Sequence, residues 1–280
     1  MNVRELKESC KESISKIYEE READQITDLL IEEYLQMNRV EAVLNSQQEV
    51  IKKNRDSIDN AIQELIKGKP IDYILGRTSF FGRDFIVDER VLIPRSETEE
   101  LCQLILERER EQTSRILDIG TGSACIPITL KLEGSYKQVD GCDVSKEALE
   151  NAKENARDLQ AEVNLFDLDI LNQLPKDRYD VIVSNPPYVL QSELEELSPH
   201  VVEHEPLVAL SPIGDPLLFY KRILQVLPKM LVDGGRLYFE IHEDKGEEVE
   251  VLMRHYGLKN VEVIEDMYGR DRMAFGVYEA

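Results

Sequence analysis

Asn185-Pro186-Pro187-Tyr188 is the stretch of this 280-residue chain whose residue types most directly suggest chemistry. It follows the apolar run Val181–Ser184. Two successive prolines stiffen the backbone and donate no hydrogen bonds. The carbonyls of Asn185 and Pro186 can therefore be held out as acceptors, with the Asn185 side chain adding another and Tyr188 a flat aromatic face. Such a set suits a planar nitrogen with two N–H donors, an amide or an exocyclic amine. That nitrogen is a poor nucleophile because its lone pair is delocalised. Fixed acceptors can aim it at an electrophile, and catalysis then comes from alignment and preorganised dipoles, with no obligatory base.

Leu117-Asp118-Ile119-Gly120-Thr121-Gly122-Ser123-Ala124 supplies a second motif, between a strand and a helix pattern. Glycines permit a tight turn and close backbone approach, and a helix N-terminus offers free N–H groups. A dinucleotide fingerprint would require glycine or alanine where Cys125 stands. Asp118 is the more telling residue, since a carboxylate there suits a ligand carrying an ammonium group, although a strand-end Asp capping the turn would look the same. Asp143 closes the next strand, where a carboxylate can accept ribose hydroxyls. Asp167 and Asp169 follow the third strand, and either can accept from an adenine amino group with Ile170 against the ring; a solvated loop is the plainer reading of both. The sulfonium methyl of S-adenosylmethionine is one electrophile that would suit the planar nitrogen, leaving S-adenosylhomocysteine as product, while Asp143 at a ribose fits either that cofactor or a dinucleotide.

The elements that must position these residues are legible as periodicity. Up to about Lys67 the apolar residues recur at helical spacing (Ile14, Ile17, Tyr18; Ile26, Leu29, Leu30, Tyr34; Ile58, Ile62, Leu65, Ile66), and Gly68 with Pro70 stops the pattern. Four or five helices are expected. Phe80–Val87 reads as a hairpin turning near Gly82, and Ser96 with Glu99 as a capping box opening a helix to about Arg110. Strand patterns follow at 115–120, 138–144, 162–167, 179–184, 236–241, 261–264 and 273–278, with helix patterns at 124–132, 146–159, 216–231 and 243–256. The alternation predicts a mostly parallel sheet covered on both faces. The last two strands lack a crossover helix, so the final one should run antiparallel. The expected division is 1–70 as an all-α N-terminal domain, 71–95 as a connector and 96–280 as the catalytic domain.

A formal net charge of −22 disfavours gripping a nucleic-acid backbone and favours a small molecule or a basic protein partner. No run approaches a membrane span, and Met1–Glu5 leads into a charged helical pattern without a signal core, so a cytoplasmic location is expected. The four cysteines, Cys10, Cys102, Cys125 and Cys142, form no C-x-x-C pair. His200 and His204 lack an evident third ligand, so no metal is expected. The run Glu193-Leu194-Glu195-Glu196 reads as a solvated helix face.

With these motifs in place the chain resembles the HemK family, the protein-glutamine N5-methyltransferases acting on release factors. The resemblance rests on Asp118-Ile119-Gly120-Thr121-Gly122 and Asn185-Pro186-Pro187-Tyr188. Further matches are Ile74-Leu75-Gly76, Val91-Leu92-Ile93-Pro94-Arg95 with Glu97-Thr98-Glu99, Glu205-Pro206-Leu207 with Ala209-Leu210, and Gly269-Arg270-Asp271-Arg272. It implies a seven-stranded, Rossmann-like S-adenosylmethionine-dependent methyltransferase fold behind a small helical domain. It implies the cofactor along Gly120, Thr121, Gly122, Ser123 and Ala124, beside Asp118, Asp143, Asp169, Ile170 and Asn185. The glutamine amide would lie on Asn185, Pro186, Pro187 and Tyr188, with Asn185, Pro186 and Tyr188 as the catalytic set. The partner implied is a peptide-chain release factor, gripped partly by the helical domain, its Gly-Gly-Gln loop entering the site. Ala124 in place of a third glycine, and Ser96 in place of a proline after Arg95, depart from the pattern. Methylation of adenine N6 in DNA or RNA would use the same acceptors on a flipped base. A nicotinamide oxidoreductase and a non-catalytic binding protein fit the residues less well.

Overall fold

The computed structural model describes residues 1–110, 114–188, 204–210 and 214–280, the side chains of 208 and 210 excepted. Residues 193–196 and His200 lie outside them. Met1–Gly76 form one compact unit, and most of Arg77–Ala280 a second.

The first unit contains α1 (Val3–Ile14), α2 (Glu20–Leu35), α3 (Arg39–Leu44), α4 (Lys52–Ile66) and α5 (Ile71–Leu75). α1 and α3 open on reciprocal caps: the Asn2 side chain accepts from Glu5 N while Glu5 accepts from Asn2 N, and Asn38 and Glu41 repeat the arrangement. Val3, Leu6, Cys10 and Ile14 of α1 share a core with Ile26, Leu30 and Ile31 of α2 and Ile58, Ile62 and Leu65 of α4. Each such fully buried aliphatic side chain is worth about 1.5–3 kcal/mol. Ile17, Leu29 and Ile66, expected in this stripe, are exposed instead. Leu29 and Ile66 directly adjoin the buried Leu30 and Leu65, and one residue along a helix turns the side chain about 100° away. Ile17 lies beyond the end of α1.

The second unit opens with a hairpin, β1 (Arg77–Phe80) and β2 (Arg83–Ile86). Phe81 and Gly82 both have positive φ, 50° and 73°, the geometry of a tight two-residue turn whose twist matches its strands. α6 (Ser96–Arg108) follows, but without the capping box. Glu99 instead accepts from Phe81 N at 2.6 Å, and the Ser96 hydroxyl turns to Glu97 at 3.0 Å. Glu99 therefore stitches helix to hairpin, and the cap position falls on Arg95, which makes no side-chain cap bond.

The remaining elements are β3 (Arg115–Ile119), α7 (Cys125–Glu133), β4 (Gln138–Asp143), α8 (Lys146–Asp158), β5 (Asn164–Asp167), β6 (Tyr179–Ser184), α9 (Leu207–Leu210), α10 (Leu218–Met230), β7 (Leu231–Glu240), α11 (Gly246–His255), β8 (Lys259–Glu265) and β9 (Asp271–Val277). β7 begins earlier than expected, directly from the end of α10. The seven strands lie in the order β5-β4-β3-β6-β7-β9-β8. All neighbours from β5 to β7 pair parallel, and β9 alone runs against the rest, inserted between β7 and β8. The expected doubly covered, mostly parallel sheet with an antiparallel last strand is the observed one.

Alternation along the strands sends side chains to two cores. Leu117, Ile182, Leu237 and Phe239 pack with Tyr220, Ile223 and Leu227 of α10 and Val249 and Met253 of α11. Ile116, Val181, Val183 and Tyr238 pack on the other face with Leu101 and Ile105 of α6 and Ile126 and Leu130 of α7. After β3 the chain builds outward through β4 and β5, then returns to β6 on the opposite side of β3. The carboxyl ends of β3 and β6 thus flank a topological switch point, where open α/β sheets hold ligands. Among the described residues no helix is long and apolar enough to cross a membrane.

Candidate active site

Register sets the site. Ile119 of β3 pairs with Ser184 of β6, and the Ser184 hydroxyl donates to the Ile119 carbonyl at 2.6 Å. The next residues on the two strands are Gly120 and Asn185, so both sequence motifs open side by side into one cavity. Its walls include Gly120, Thr121, Gly122 and Ser123 on one side, Asn185, Pro186 and Pro187 on another, and Asp143, Asp169 and Ile170 beyond. Among the predicted site residues, Asp118, Ala124 and Tyr188 do not line it.

Backbone bonds shape the glycine turn. Gly120 N and Thr121 N both donate to the Cys142 carbonyl, at 2.9 and 3.0 Å. Gly120 and Gly122 take φ of 80° and 52°, left-handed values that glycine adopts without strain. Ala124 adopts φ of 62° at 0% exposure, so the predicted helix start is displaced by one residue and α7 begins at Cys125. Pro127 consequently sits in the first turn, where its missing N–H costs nothing. Asp143 accepts from Gly122 N and from Ser145 N, each at 2.9 Å, which ties the turn to the end of β4. Burial raises the Asp143 carboxyl, and these backbone bonds oppose the rise. Asp169 lines the cavity while its carboxylate accepts from Leu171 N at 2.9 Å and from Asn172 at 2.6 Å. Asp167, at the end of β5, is exposed and lies outside the cavity wall.

Asp118 is fully buried, and neither carboxylate oxygen meets a hydrogen-bond donor among the described residues. Burial pushes its carboxyl up to about 7; the nearby Thr121 hydroxyl opposes that rise and Asp143 adds to it. A buried acid without a donor is costly. Beside a glycine turn that opens on a cavity, it is a group that a cationic ligand would satisfy. Asp118 stands just behind the wall, immediately ahead of the lining Ile119 and Gly120, and its unanswered carboxyl fits a cofactor bearing an ammonium.

The end of β6 is organised by side chains. Asn185 Nδ2 donates to Thr98 Oγ1 at 3.3 Å, and Thr98 Oγ1 donates to Glu240 Oε2 at 2.7 Å. The Tyr188 hydroxyl donates to Glu240 Oε1 at 3.1 Å, and its ring meets His242 edge-on. Burial pushes Tyr188 above the ordinary phenol range. Arg95, which lines the cavity, pairs at 2.6 Å with the buried Glu205. Thr98 and Glu240 were not singled out as site residues from the sequence. The available signal was a single acid ending the apolar run Leu237-Tyr238-Phe239, an expensive residue unless paired. Among the described residues no group of three metal-ligating side chains occurs.

Comparison with known proteins matches residues 5–76 to the PrmC N-terminal domain model and residues 98–231 to the methyltransferase small domain model. A release factor glutamine methyltransferase of Bacillus cereus is 39% identical over 279 residues, covering 97% of this chain and 99% of that protein. One of Flavobacterium psychrophilum is 37% identical, covering 94% of each. The crystal structure of a methyltransferase from Pyrococcus furiosus is similar in fold, with a TM-score of 0.56 at 18% identity over 79% of this chain and 100% of that one. By its near-full-length relatives, this chain belongs to the family of release factor glutamine methyltransferases, the HemK family that its motifs resemble.

Proposed function

We propose that this protein transfers a methyl group from S-adenosylmethionine to the side-chain amide nitrogen, N5, of the glutamine in the Gly-Gly-Gln motif of a peptide-chain release factor. The observation that carries this reading is the single cavity at the β3–β6 switch point, with the glycine turn on one wall and Asn185-Pro186-Pro187 on another. The substrate is supported by the near-full-length relatives, which are release factor glutamine methyltransferases.

On this reading Asp118 and the turn Gly120–Ala124 receive the amino-acid end of the cofactor, Asp143 its ribose, and Asp169 with Ile170 its adenine. When bound, S-adenosylmethionine supplies a methyl carbon made electrophilic by its sulfonium. Asn185 Oδ1 and the Pro186 carbonyl accept the two N–H bonds of the substrate amide and hold its plane in the attacking orientation. Alignment of this kind accounts for a large part of a rate enhancement, because reacting groups held in place need not find each other. The two prolines offer no competing donor. Tyr188 sits behind the acceptors, its hydroxyl committed to Glu240. A release-factor substrate places the activity in the cytosol.

The test is incubation of the protein with a release factor and isotopically labelled cofactor, followed by peptide mass spectrometry. One added methyl on the Gly-Gly-Gln glutamine is expected. Label found only in DNA or RNA would replace this substrate with adenine N6.

A further inference from the structure

Thr98 reaches the cavity wall beside Asn185 and Glu240 does not line it, yet both are buried and linked to Asn185 by hydrogen bonds. Thr98 is 3% exposed and Glu240 1% exposed. Glu240 closes β7, one residue past the Ser184–Phe239 pair that sets its register against β6. Its main-chain carbonyl accepts from the Tyr220 hydroxyl at 2.9 Å, which fixes the strand end. Its two side-chain oxygens accept from different hydroxyls, Thr98 at 2.7 Å and Tyr188 at 3.1 Å.

Donor and acceptor inventories give this chain of contacts a direction. An ionised carboxylate only accepts. Thr98 must therefore spend its one hydroxyl proton on Glu240. Its lone pairs face Asn185, so Asn185 must present its NH2 group there. The other end of the Asn185 amide, Oδ1, has no partner among the described residues and is the end left to face a ligand. The two ends of an asparagine amide are nearly isosteric, and the shape of the site alone does not choose between them. Burial raises the Glu240 carboxyl, while the two hydroxyls and the Arg272 charge oppose that rise.

The geometry points to Thr98 and Glu240 as positioning residues that fix which end of the Asn185 amide faces the substrate. This rests on Asn185 being the acceptor for the substrate amide, and it adds what makes Asn185 an acceptor instead of a donor. Turned the other way, Asn185 would set its own N–H bonds against those of the substrate and the nitrogen would not be aligned.

The test is steady-state kinetics on release factor for N185A, T98V, T98S, E240Q and T98V/E240Q, with cofactor affinity by calorimetry and folding by circular dichroism. T98V keeps the shape of threonine and removes the hydroxyl. Its kcat should fall by up to about 100-fold, the scale of a misaligned reacting group. KM for release factor and cofactor affinity should hold, and T98S should recover most of the turnover. T98V/E240Q should be no slower than T98V, because both changes act through Asn185. If N185A is inactive while T98V turns over like the wild type, the positioning role is wrong and the reading of Asn185 survives. If T98S is as slow as T98V, or T98V loses cofactor affinity in step with turnover, Thr98 only packs and the proposal fails. If N185A itself turns over normally, the acceptor reading fails and the positioning role goes with it.

Discussion

The two halves of the candidate site are built by opposite means. At the end of β3 the polypeptide itself makes the surface: Gly120 N and Thr121 N bond to Cys142, Gly122 N bonds to Asp143, and the buried carboxyl of Asp118 meets no donor among the described residues. At the end of β6 the surface is made by side chains, each tied to a second: Asn185 to Thr98, Thr98 to Glu240, Tyr188 to Glu240. A half that awaits a charged ligand can leave a charge unanswered, because the ligand supplies the partner. A half that must orient a neutral, planar group needs its polar atoms committed in advance, or their direction would be undefined.

Breaking the β6 half should cost the most. Replacing Asn185 with alanine removes an acceptor and leaves the glycine turn untouched. Turnover on release factor is expected to drop by at least about 100-fold, the cost of losing an aligning contact at the reacting atom. Cofactor affinity, read by calorimetry, should change little. Parallel losses in both would show that the halves are one structure and the contrast drawn above is false.

The β3 half should announce itself through pH. In the free protein Asp118 keeps its proton up to about pH 7, whereas the ordinary value is 3.8. Binding an ammonium requires the ionised form, so below that point each unit of acidity should weaken cofactor binding by about tenfold, with a plateau above it. The sign for folding is the reverse. Between 3.8 and about 7 the native state holds a proton that the unfolded chain has released, so this group favours the fold at low pH and its contribution fades as pH rises to about 7. D118N should remove the pH slope of cofactor binding and weaken it at neutral pH by about tenfold or more, the scale of a lost charge-assisted bond. A cofactor affinity that stays flat across this range in the wild type would mean that Asp118 does not meet the ligand.

Ser184 joins the halves, its hydroxyl spanning from β6 to the Ile119 carbonyl at 2.6 Å. S184A should lower stability by about 1 kcal/mol, the net value of one buried hydrogen bond. In a domain of this size that shifts the melting temperature by about 2–4 °C. Turnover and cofactor affinity should slip together and slightly, since the change loosens both strand ends. A large loss confined to one of them would place Ser184 inside that half.

The contrast also explains what could be read in advance. The β3 half is local: strand, glycines and helix start lie within about one turn of each other in sequence, and Asp118, Gly120 and Gly122 are visible as a string of types. Asn185-Pro186-Pro187-Tyr188 is equally local. The alternation of strand and helix patterns from 115 onward carried the sheet, including the reversed last strand. What was not legible depends on pairing across the sheet. Thr98 and Glu240 are 142 residues apart, and it takes the packing of α6 on β7 as well as the register of β7 against β6 to bring them together beside Asn185. The same limit misassigned Glu99, whose spacing from Ser96 fits a cap while its carboxylate is claimed by the hairpin turn at Phe81.

Ala124 gives the smallest effect and the finest test of the β3 half. Its φ of 62° is a left-handed value, and a side chain there costs about 1–2 kcal/mol. Glycine would relieve that strain. Glycine would also surrender a buried methyl, about 0.8 kcal/mol, and add unfolded-chain entropy worth roughly 0.5–1 kcal/mol. The three terms nearly cancel, so A124G should alter stability by less than about 1 kcal/mol, within the scatter of ordinary substitutions. The methyl of Ala124 belongs to the core between α6 and α7, not to the cavity wall, so cofactor affinity should hold as well. A124V separates the terms, because a β-branched residue in the left-handed region is a far worse fit and overpacks a site with no exposed surface. Calorimetric melting of both variants decides it. A124V no less stable than A124G would mean that the turn does not take the left-handed step at residue 124, and the backbone account of this half would have to be redrawn.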